Sequence, residues 1–367
     1  MSTLLVGALL TVTHALCDLP EVVCSLADAP AHLQVVVKAP ITLSQPFRLH
    51  ILPYPVKIVG SERAALRGSG QLIDIVSATV TITNLVIAGD GRGDEEHVKP
   101  EDGCAHSGLV SVRDGLLTLT SSVIEGGAAP GNGGGICAEN SELRVEESAL
   151  RSNRARYHGG GIYAYRSSVI LSNVVISANA GGGIAAFAGE IDANGFLVTA
   201  DKHYGMYIAE SRRPHQLISG TIAANGLAGL VVRETGAYLR HVLIKQNGTY
   251  GVKVGHQASA QLNHVTIRNH RVGLYVDDFS ASVNLFGTWL RENKLNCLGE
   301  AIYPTFSVSD DGSCAGLFPL RFRAHGDAPS CKSWLASAIP APLCLSTADA
   351  QGRPYSGRCA IGALACR

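Results

Sequence analysis

The sequence predicts an all-β chain wound into a parallel β-helix, with three short strands per coil and about 22 residues per coil. Three observations carry this. A Gly-aliphatic step returns at Gly135-Ile136, Gly161-Ile162, Gly183-Ile184, Gly205-Met206, Gly229-Leu230, Gly251-Val252 and Gly273-Leu274, at intervals of 26, 22, 22, 24, 22 and 22 residues. A second marker, an aliphatic residue with Asn three positions on, keeps step with it from Leu150, Ile176, Ile222, Ile244 and Leu290. Between the markers, as in GGGIYAYRSSVILSNVVISAN, runs of three to five residues alternate in hydrophobicity and are broken by Gly, Asn and Ser. That is the pattern of short strands joined by tight bends, and nothing between them offers ten residues of helical periodicity. The coils then stack at the usual interstrand spacing of about 4.8 Å. Less regular copies precede them at Gly108-Leu109 and in LIDIVSATVTITNLVIAG.

Composition agrees. The chain has 367 residues, 46% hydrophobic and 16% charged, with 41 Gly and two Met, which suits a turn-rich β protein better than a helical one. Thirty basic and thirty acidic residues cancel and no basic run stands out, so a nucleic-acid partner held through phosphates is not expected.

Taken in order, residues 1–30 form an apolar opening and a cap. MSTLLVGALLTVTHALC has a short apolar run with a cleavage position after Ala15, lacks the basic start of a secretory signal and is too short to span a membrane. DLPEVVCSLADAP is predicted to form a short amphipathic helix over the first coil, because the open end of a β-helix exposes backbone groups that recruit other strands. Residues 31–296 are the coils, about ten in number. Within them Asn84 and Asn173 lie just before a third strand, where the chain turns sharply and Asn tolerates the left-handed region. His241 and His264 occupy that register in neighbouring coils and read as a stacked polar ladder at a bend, with a metal pair as the alternative. Asn247 opens an Asn-Gly-Thr glycosylation sequon that matters in a eukaryotic secretory host, although the Asn already has a turn role.

From residue 297 to 367 the periodicity is lost and Pro and Cys rise, which predicts an irregular, disulfide-stapled cap. The ten cysteines, Cys17, Cys24, Cys104, Cys137, Cys297, Cys314, Cys331, Cys344, Cys359 and Cys366, have spacings that fit neither a zinc knuckle nor a redox CxxC pair. Disulfides in an oxidising compartment are the reading, with Cys104–Cys137 as a separate staple and the others pairing mostly within their terminal groups.

The coils resemble those of right-handed parallel β-helix repeat proteins of the pectin-lyase-like fold. The opening TVTHAL…CSLADAP is similar to the start of many secreted bacterial members, and DAQGRPYSGRCAIGA is similar to the close of the choice-of-anchor Q group. Ala360 stands where that close has Asp, and Leu364 where it has an aromatic residue. The resemblance implies an exported, envelope-associated or extracellular protein and places TVTHAL in the mature domain.

Signatures of chemistry are thin. HExxH, GxSxG and Walker motifs are absent, and the set of Asp-Asp, Gly-His-Gly and Arg-Ile-Lys signatures of polygalacturonase-like members is not intact. The repeat instead predicts a surface. If the aliphatic after each Gly points inward, the next residue points out. The outward column is then Cys137, Tyr163, Ala185, Tyr207, Val231, Lys253 and Tyr275, with Glu139, Tyr165, Phe187, Glu210, Arg233, Glu234, His256, Asp277 and Asp278 beside it. Aromatics among acids and bases suit a polysaccharide, whose ring faces stack while its hydroxyls take hydrogen bonds. The plain alternative is that Tyr suits strands and ladders with its neighbours. The ligand-binding candidates are Tyr163, Tyr165, Phe187, Tyr207, Arg233, Lys253 and Tyr275.

A catalytic version, a polysaccharide lyase or hydrolase, uses Asp277 and Asp278 as acid or metal ligand with Lys253 or His256 as base. Adjacent Asp residues on a strand face opposite ways, so convergence needs a bend. In GDGRGDEE, the carboxylates Asp90, Asp94, Glu95 and Glu96 could hold calcium, with a solvated acidic loop as the alternative. Arg92-Gly93-Asp94 there is an integrin-type tripeptide that would suit an adhesin. The sequence thus points to an exported monomer acting as a structural and binding module for a glycan, with enzyme and adhesin as competing readings.

Overall fold

The computed structural model describes residues 22–28, 31–52, 54–92, 98–319, 339, 349 and 361–362. These form a parallel β-solenoid of the right-handed type, about 12 turns of ~23 residues with three strands per coil. Among the described residues there is no α-helix, and so none long and apolar enough to cross a membrane. The chain divides into two compact units, Met1–Ile170 with Val174–Ala185, and Leu171–Asn173 with Ala186–Arg367.

In the N-terminal unit the first strands of successive coils are Phe47–His50, Ile73–Val76, Val110–Arg113, Ile136–Glu139 and Ile162–Tyr165. They stack in parallel register through Phe47, Ile73, Val110, Ile136 and Ile162. In the C-terminal unit the equivalent strands are Tyr204–Ala209, Ala228–Arg233, Tyr250–Gly255, Val272–Val276 and Leu295–Leu298. There Met206, Leu230, Val252 and Leu274 form one inward column, each fully buried. Identical spacing of aliphatic residues becomes a continuous core because parallel pairing sets like over like.

The Gly and Asn markers are one device. In the C-terminal unit Asn225, Asn247, His270 and Asn293 point inward at the third corner of successive coils. The Asn247 Oδ1 accepts from the Asn225 backbone N–H (3.0 Å) and its Nδ2 donates to the Ile222 carbonyl (3.2 Å), so each Asn ties down the preceding coil. Asn153 and Asn179 do the same in the N-terminal unit. The Gly of each step leaves room for this ladder. A Cβ on Gly229 would lie 2.7 Å from both the Asn247 Nδ2 and the Gly251 carbonyl, and one on Gly273 would lie 2.7 Å from the Asn293 Nδ2. The Asn of the sequon is therefore interior, and at 2% exposure Asn247 cannot receive a glycan in the folded chain.

The residue before each of these ladder positions, and before the buried Asp201 whose N–H bonds the Asn225 Oδ1 in the same row, takes the left-handed conformation: Ser152, Ala178, Ala200, Ala224, Gln246, Asn269 and Glu292, at φ of 54° to 60°. Asn84 and Asn173 (both φ 54°) hold the predicted left-handed bend before the third strand. His241 (φ 55°) and His264 (φ 53°) share that conformation and stack with ring centroids 5.2 Å apart, as the ladder reading expects.

The termini depart from expectation. Val22–Asp28, predicted as part of a capping helix, is a strand paired antiparallel with Ala31–Val37. An antiparallel partner satisfies the edge of the first coil directly, strand against strand, which a helix would not. The coils also outnumber the expected ten and continue past residue 296. Leu295–Leu298, Ile302–Thr305 and Val308–Ser309 all stay in parallel register. The Cys104–Cys137 staple is present, and a second bond joins Cys297 to Cys314. Cys17, Cys331, Cys344, Cys359 and Cys366 lie outside the described residues.

Gly229→Ala should lose about 1–3 kcal/mol by overpacking, whereas Gly312→Ala, with nothing within 4 Å of the added Cβ, should stay within about 0.5 kcal/mol of the parent. Urea denaturation of both variants checks this. A second expectation concerns pH. His270 replaces Asn in the ladder: Asn293 fixes its Nδ1 as donor (2.9 Å), leaving Nε2 to accept from the Asn247 Nδ2 (3.1 Å). Burial lowers its pKa to about 4, against about 6.5 in the unfolded chain. The unfolded state therefore binds more protons between these values. Stability is full above pH 6.5 and falls by on the order of 3 kcal/mol as pH drops through 4. His215 and His241, lowered by burial to about 4 and about 3, add to the same slope. His270→Asn should flatten the dependence of unfolding free energy on pH between 4 and 6.5; an unchanged slope would refute the assignment.

Candidate functional site

The Gly step also shapes the outer surface. Gly205 and Met206 are consecutive and both turn inward, since a Cβ on Gly205 would meet the buried Ile222 and Asn225 side chains. Strict alternation is broken there, and the residues on either side, Tyr204 and Tyr207, reach the same outer face with ring centroids 5.4 Å apart. The same break brings Tyr250 and Lys253 together on this face two coils along. Register then aligns Tyr207, Val231, Lys253 and Tyr275 in one column, and Tyr204, Ala228, Tyr250 and Val272 in another.

Between these columns lies a groove of about 290 Å³ in the C-terminal unit. Tyr204, Tyr207, Tyr250, Leu227 and Val231 give it aromatic and aliphatic walls, and Arg233, Lys253, His256 and Asp277 bring the polar groups. Tyr250 and Tyr275 stack nearly parallel (centroids 5.2 Å apart, 16° between planes), and Phe187 packs against Tyr207 at 5.3 Å. The Lys253 ammonium sits over the Tyr275 and Tyr250 rings, 5.3 Å and 5.8 Å from their centroids, an arrangement in which the ring quadrupoles stabilise the cation. It also reaches the Asp277 carboxylate at 3.0 Å. Arg233 donates to the Tyr207 hydroxyl at 3.4 Å and lies 3.9 Å from Glu234.

Asp277 and Asp278 part company. The strand ends at Val276, and Asp277 turns back over Gly255, where a Cβ would come within 2.7 Å of its own. Hydrogen bonds from the Tyr275 hydroxyl and then from Lys253 hold its carboxyl below the usual carboxylate range, and the same bond to Asp277 raises the Tyr275 phenol. Asp278 instead builds the following turn. It accepts from the Ser280 hydroxyl, the Ser280 N–H (2.8 Å) and the His256 N–H (2.7 Å), which lowers its pKa as well. The His256 ring remains 3.9 Å from it and half exposed. The bend that would let both carboxylates converge on one reacting group is therefore used to separate them. What the site offers is an ionised acceptor, Asp277, beside cationic donors, Lys253 and Arg233, on an aromatic floor.

Other sequence candidates lie elsewhere. Tyr163 and Tyr165 belong to the N-terminal unit. Tyr163 is 6% exposed and lies in register with Cys137, itself fully buried and bonded to Cys104, so this part of the expected outward face is covered. Tyr165 carries Arg166 over its ring at 4.9 Å. In the same unit His50 and Arg113 clamp the buried Asp74 at 2.9 Å and 3.1 Å. Asp90 of the acidic loop accepts from the Arg92 N–H (2.9 Å), and Asp94, Glu95 and Glu96 lie outside the described residues. Among the described residues no cluster of three or more His, Cys, Asp or Glu could hold a metal ion.

Sequence reasoning missed Tyr204, Tyr250 and Gly255. The signal was present in HYGM and TYGV, a Tyr directly before the Gly step, but reading it requires knowing that the Gly breaks the alternation.

No family model matches the chain, and no curated protein matches it. Among solved structures it is similar to a single-substitution variant of the periplasmic alginate epimerase AlgG (12% identity, 76% of this chain and 85% of that one, TM-score 0.47). It is also similar to the A-module of the Azotobacter vinelandii mannuronan C-5 epimerase AlgE4 (13%, 79% and 91%, 0.46). A third is the pectate lyase Pel9A (9%, 88% and 78%, 0.45).

Proposed function

We propose that the C-terminal unit is a glycan-binding platform and that the protein acts as an exported or cell-surface structural and binding module. The observation that carries this is the groove itself, in which tyrosine ring faces and hydroxyls from successive coils converge beside a fixed donor–acceptor set. A sugar ring has apolar faces and a polar rim. Aromatic faces and convergent hydrogen-bonding groups match the two. Tyrosine also gives large contact area with few rotatable bonds, so little side-chain freedom is lost on binding. The bonds Cys104–Cys137 and Cys297–Cys314 support an oxidising compartment, hence an extracellular or envelope location.

A second reading, a polysaccharide lyase or hydrolase, draws on the hydrogen-bonded series Tyr275, Asp277 and Lys253 in the groove. It is weakened by Asp278, whose acceptor positions are taken by the turn. The adhesin reading rests on Asp94, outside the described residues.

Tyr207→Ala and Tyr275→Ala are each expected to weaken retention on a recognised polysaccharide about tenfold, or about 1.4 kcal/mol, with Tyr303→Ala, exposed elsewhere (58%), behaving as the parent. Affinity electrophoresis reads this out, and full retention by both groove variants would count against the platform. The same polysaccharides, followed for new reducing or unsaturated ends, decide on catalysis. Turnover by the parent that disappears in Asp277→Ala would replace the binding reading with the enzymatic one.

A further inference from the structure

Resting on the glycan-binding reading, we infer that the groove selects an uncharged polysaccharide and disfavours polyuronates and other polyanionic chains. The groove's charges are already matched within the protein. The Lys253 ammonium is held by the Asp277 carboxylate at 3.0 Å and by two tyrosine rings. Arg233 has Glu234 at 3.9 Å and the Tyr207 hydroxyl at 3.4 Å.

Further carboxylates border the same wall. At the corner after each first strand the chain places Glu210 (φ 62°), Glu234 (φ 52°) and His256 (φ 50°) one above another, linked by the Glu210 N–H to the Arg233 carbonyl and the Glu234 N–H to the His256 carbonyl. The row ends on the carboxylate of Asp278 at the His256 N–H. At the groove itself the two cations Arg233 and Lys253 are each set against a carboxylate, Glu234 and Asp277. A groove of that balance offers an anionic chain no net attraction, and the carboxylates along the adjoining corner disfavour one over the distance that salt does not screen.

Hydrogen-bond capacity points the same way. A sugar hydroxyl both donates and accepts, so one hydroxyl can accept from Lys253 while donating to Asp277 and leave their ion pair in place. A uronate carboxylate accepts only. To reach Lys253 it must lie against Asp277, whose hydrogen bond from Tyr275 keeps it ionised and fixed. The Lys253–Asp277 pair is therefore the specificity-determining element, and the tyrosines supply affinity without regard to charge.

The test compares one backbone in two charge states, polygalacturonate and its fully methyl-esterified form, together with a neutral β-glucan and a neutral galactan. Retention by affinity electrophoresis is measured at low ionic strength and in about 1 M salt, where the screening length is about 3 Å. The parent should be retained on neutral or esterified chains about tenfold more strongly than on the acid form at low ionic strength, with the gap narrowing in salt. Asp277→Asn, which leaves Lys253 uncompensated, should narrow the gap at low salt, and Glu234→Gln should do so independently if the first variant folds poorly. Stronger retention on the acid form, weakening as salt rises, overturns the selectivity and leaves glycan binding standing. A gap that neither variant moves overturns it also. Retention on no member of the panel overturns the groove reading and this inference with it.

Discussion

The coils at Asn153, Asn179, Asn225, Asn247 and Asn293 are each locked to the one before by an inward-pointing amide at the third corner. The Asn247 Oδ1 takes a backbone N–H of the previous coil and its Nδ2 reaches a backbone carbonyl there, so two groups that a buried bend would otherwise leave without partners are satisfied by a single side chain. The left-handed residue ahead of each ladder position aims the amide inward, at a cost of roughly 1–2 kcal/mol. That strain persists because an unsatisfied buried peptide group costs as much or more. The amide also occupies the space a Cβ would take at the Gly step of the coil before it, which is why the Gly recurs with the Asn.

The site follows from this interior contact. With Gly and the next aliphatic both turned inward, the first strand carries two consecutive inward residues, and the outer face gains tyrosines three positions apart. Parallel register then repeats the arrangement coil after coil and sets Lys253 over the Tyr250 and Tyr275 rings. A second Gly contributes differently. Gly255 lies in register with Arg233 and leaves an open place over which Asp277 folds back toward Lys253. The groove's charge pattern is thus a consequence of where the fold tolerates no side chain.

His270 shows how far the ladder accepts substitution. Its ring keeps the side-chain row continuous, donating from Nδ1 to the Asn293 Oδ1 and accepting at Nε2 from the Asn247 Nδ2, but only in one neutral tautomer. Protonation would set a donor against the Asn247 Nδ2, so a position chemically close to Asn at neutral pH becomes a liability in acid. The stacked pair His241 and His264, at a different corner, is likewise buried.

The sequence by itself determined the architecture, because a parallel solenoid places like residues over like and so writes its period into the chain. It also determined the recurrence of Asn once per coil, the left-handed bends at Asn84 and Asn173, the Cys104–Cys137 staple and the column Tyr207, Val231, Lys253, Tyr275, while the inward, hydrogen-bonded role of the recurring Asn came from the structure. Tertiary structure decided what local rules could not. Ala178, Ala200, Ala224 and Gln246 take a conformation that local preference assigns to Gly or Asn, because the ladder they position outweighs their own strain. Val22–Asp28 became a strand because an open sheet edge lay beside it. Tyr163 dropped out of the exposed face because it aligns with a buried disulfide, and Tyr204 and Tyr250 entered the groove because the Gly and the aliphatic after it both turn inward, which hydrophobic alternation does not show. The division of labour between Asp277 and Asp278 was settled by which backbone N–H groups lay within reach across the coil, a distance of 22 residues along the chain but one strand spacing in space.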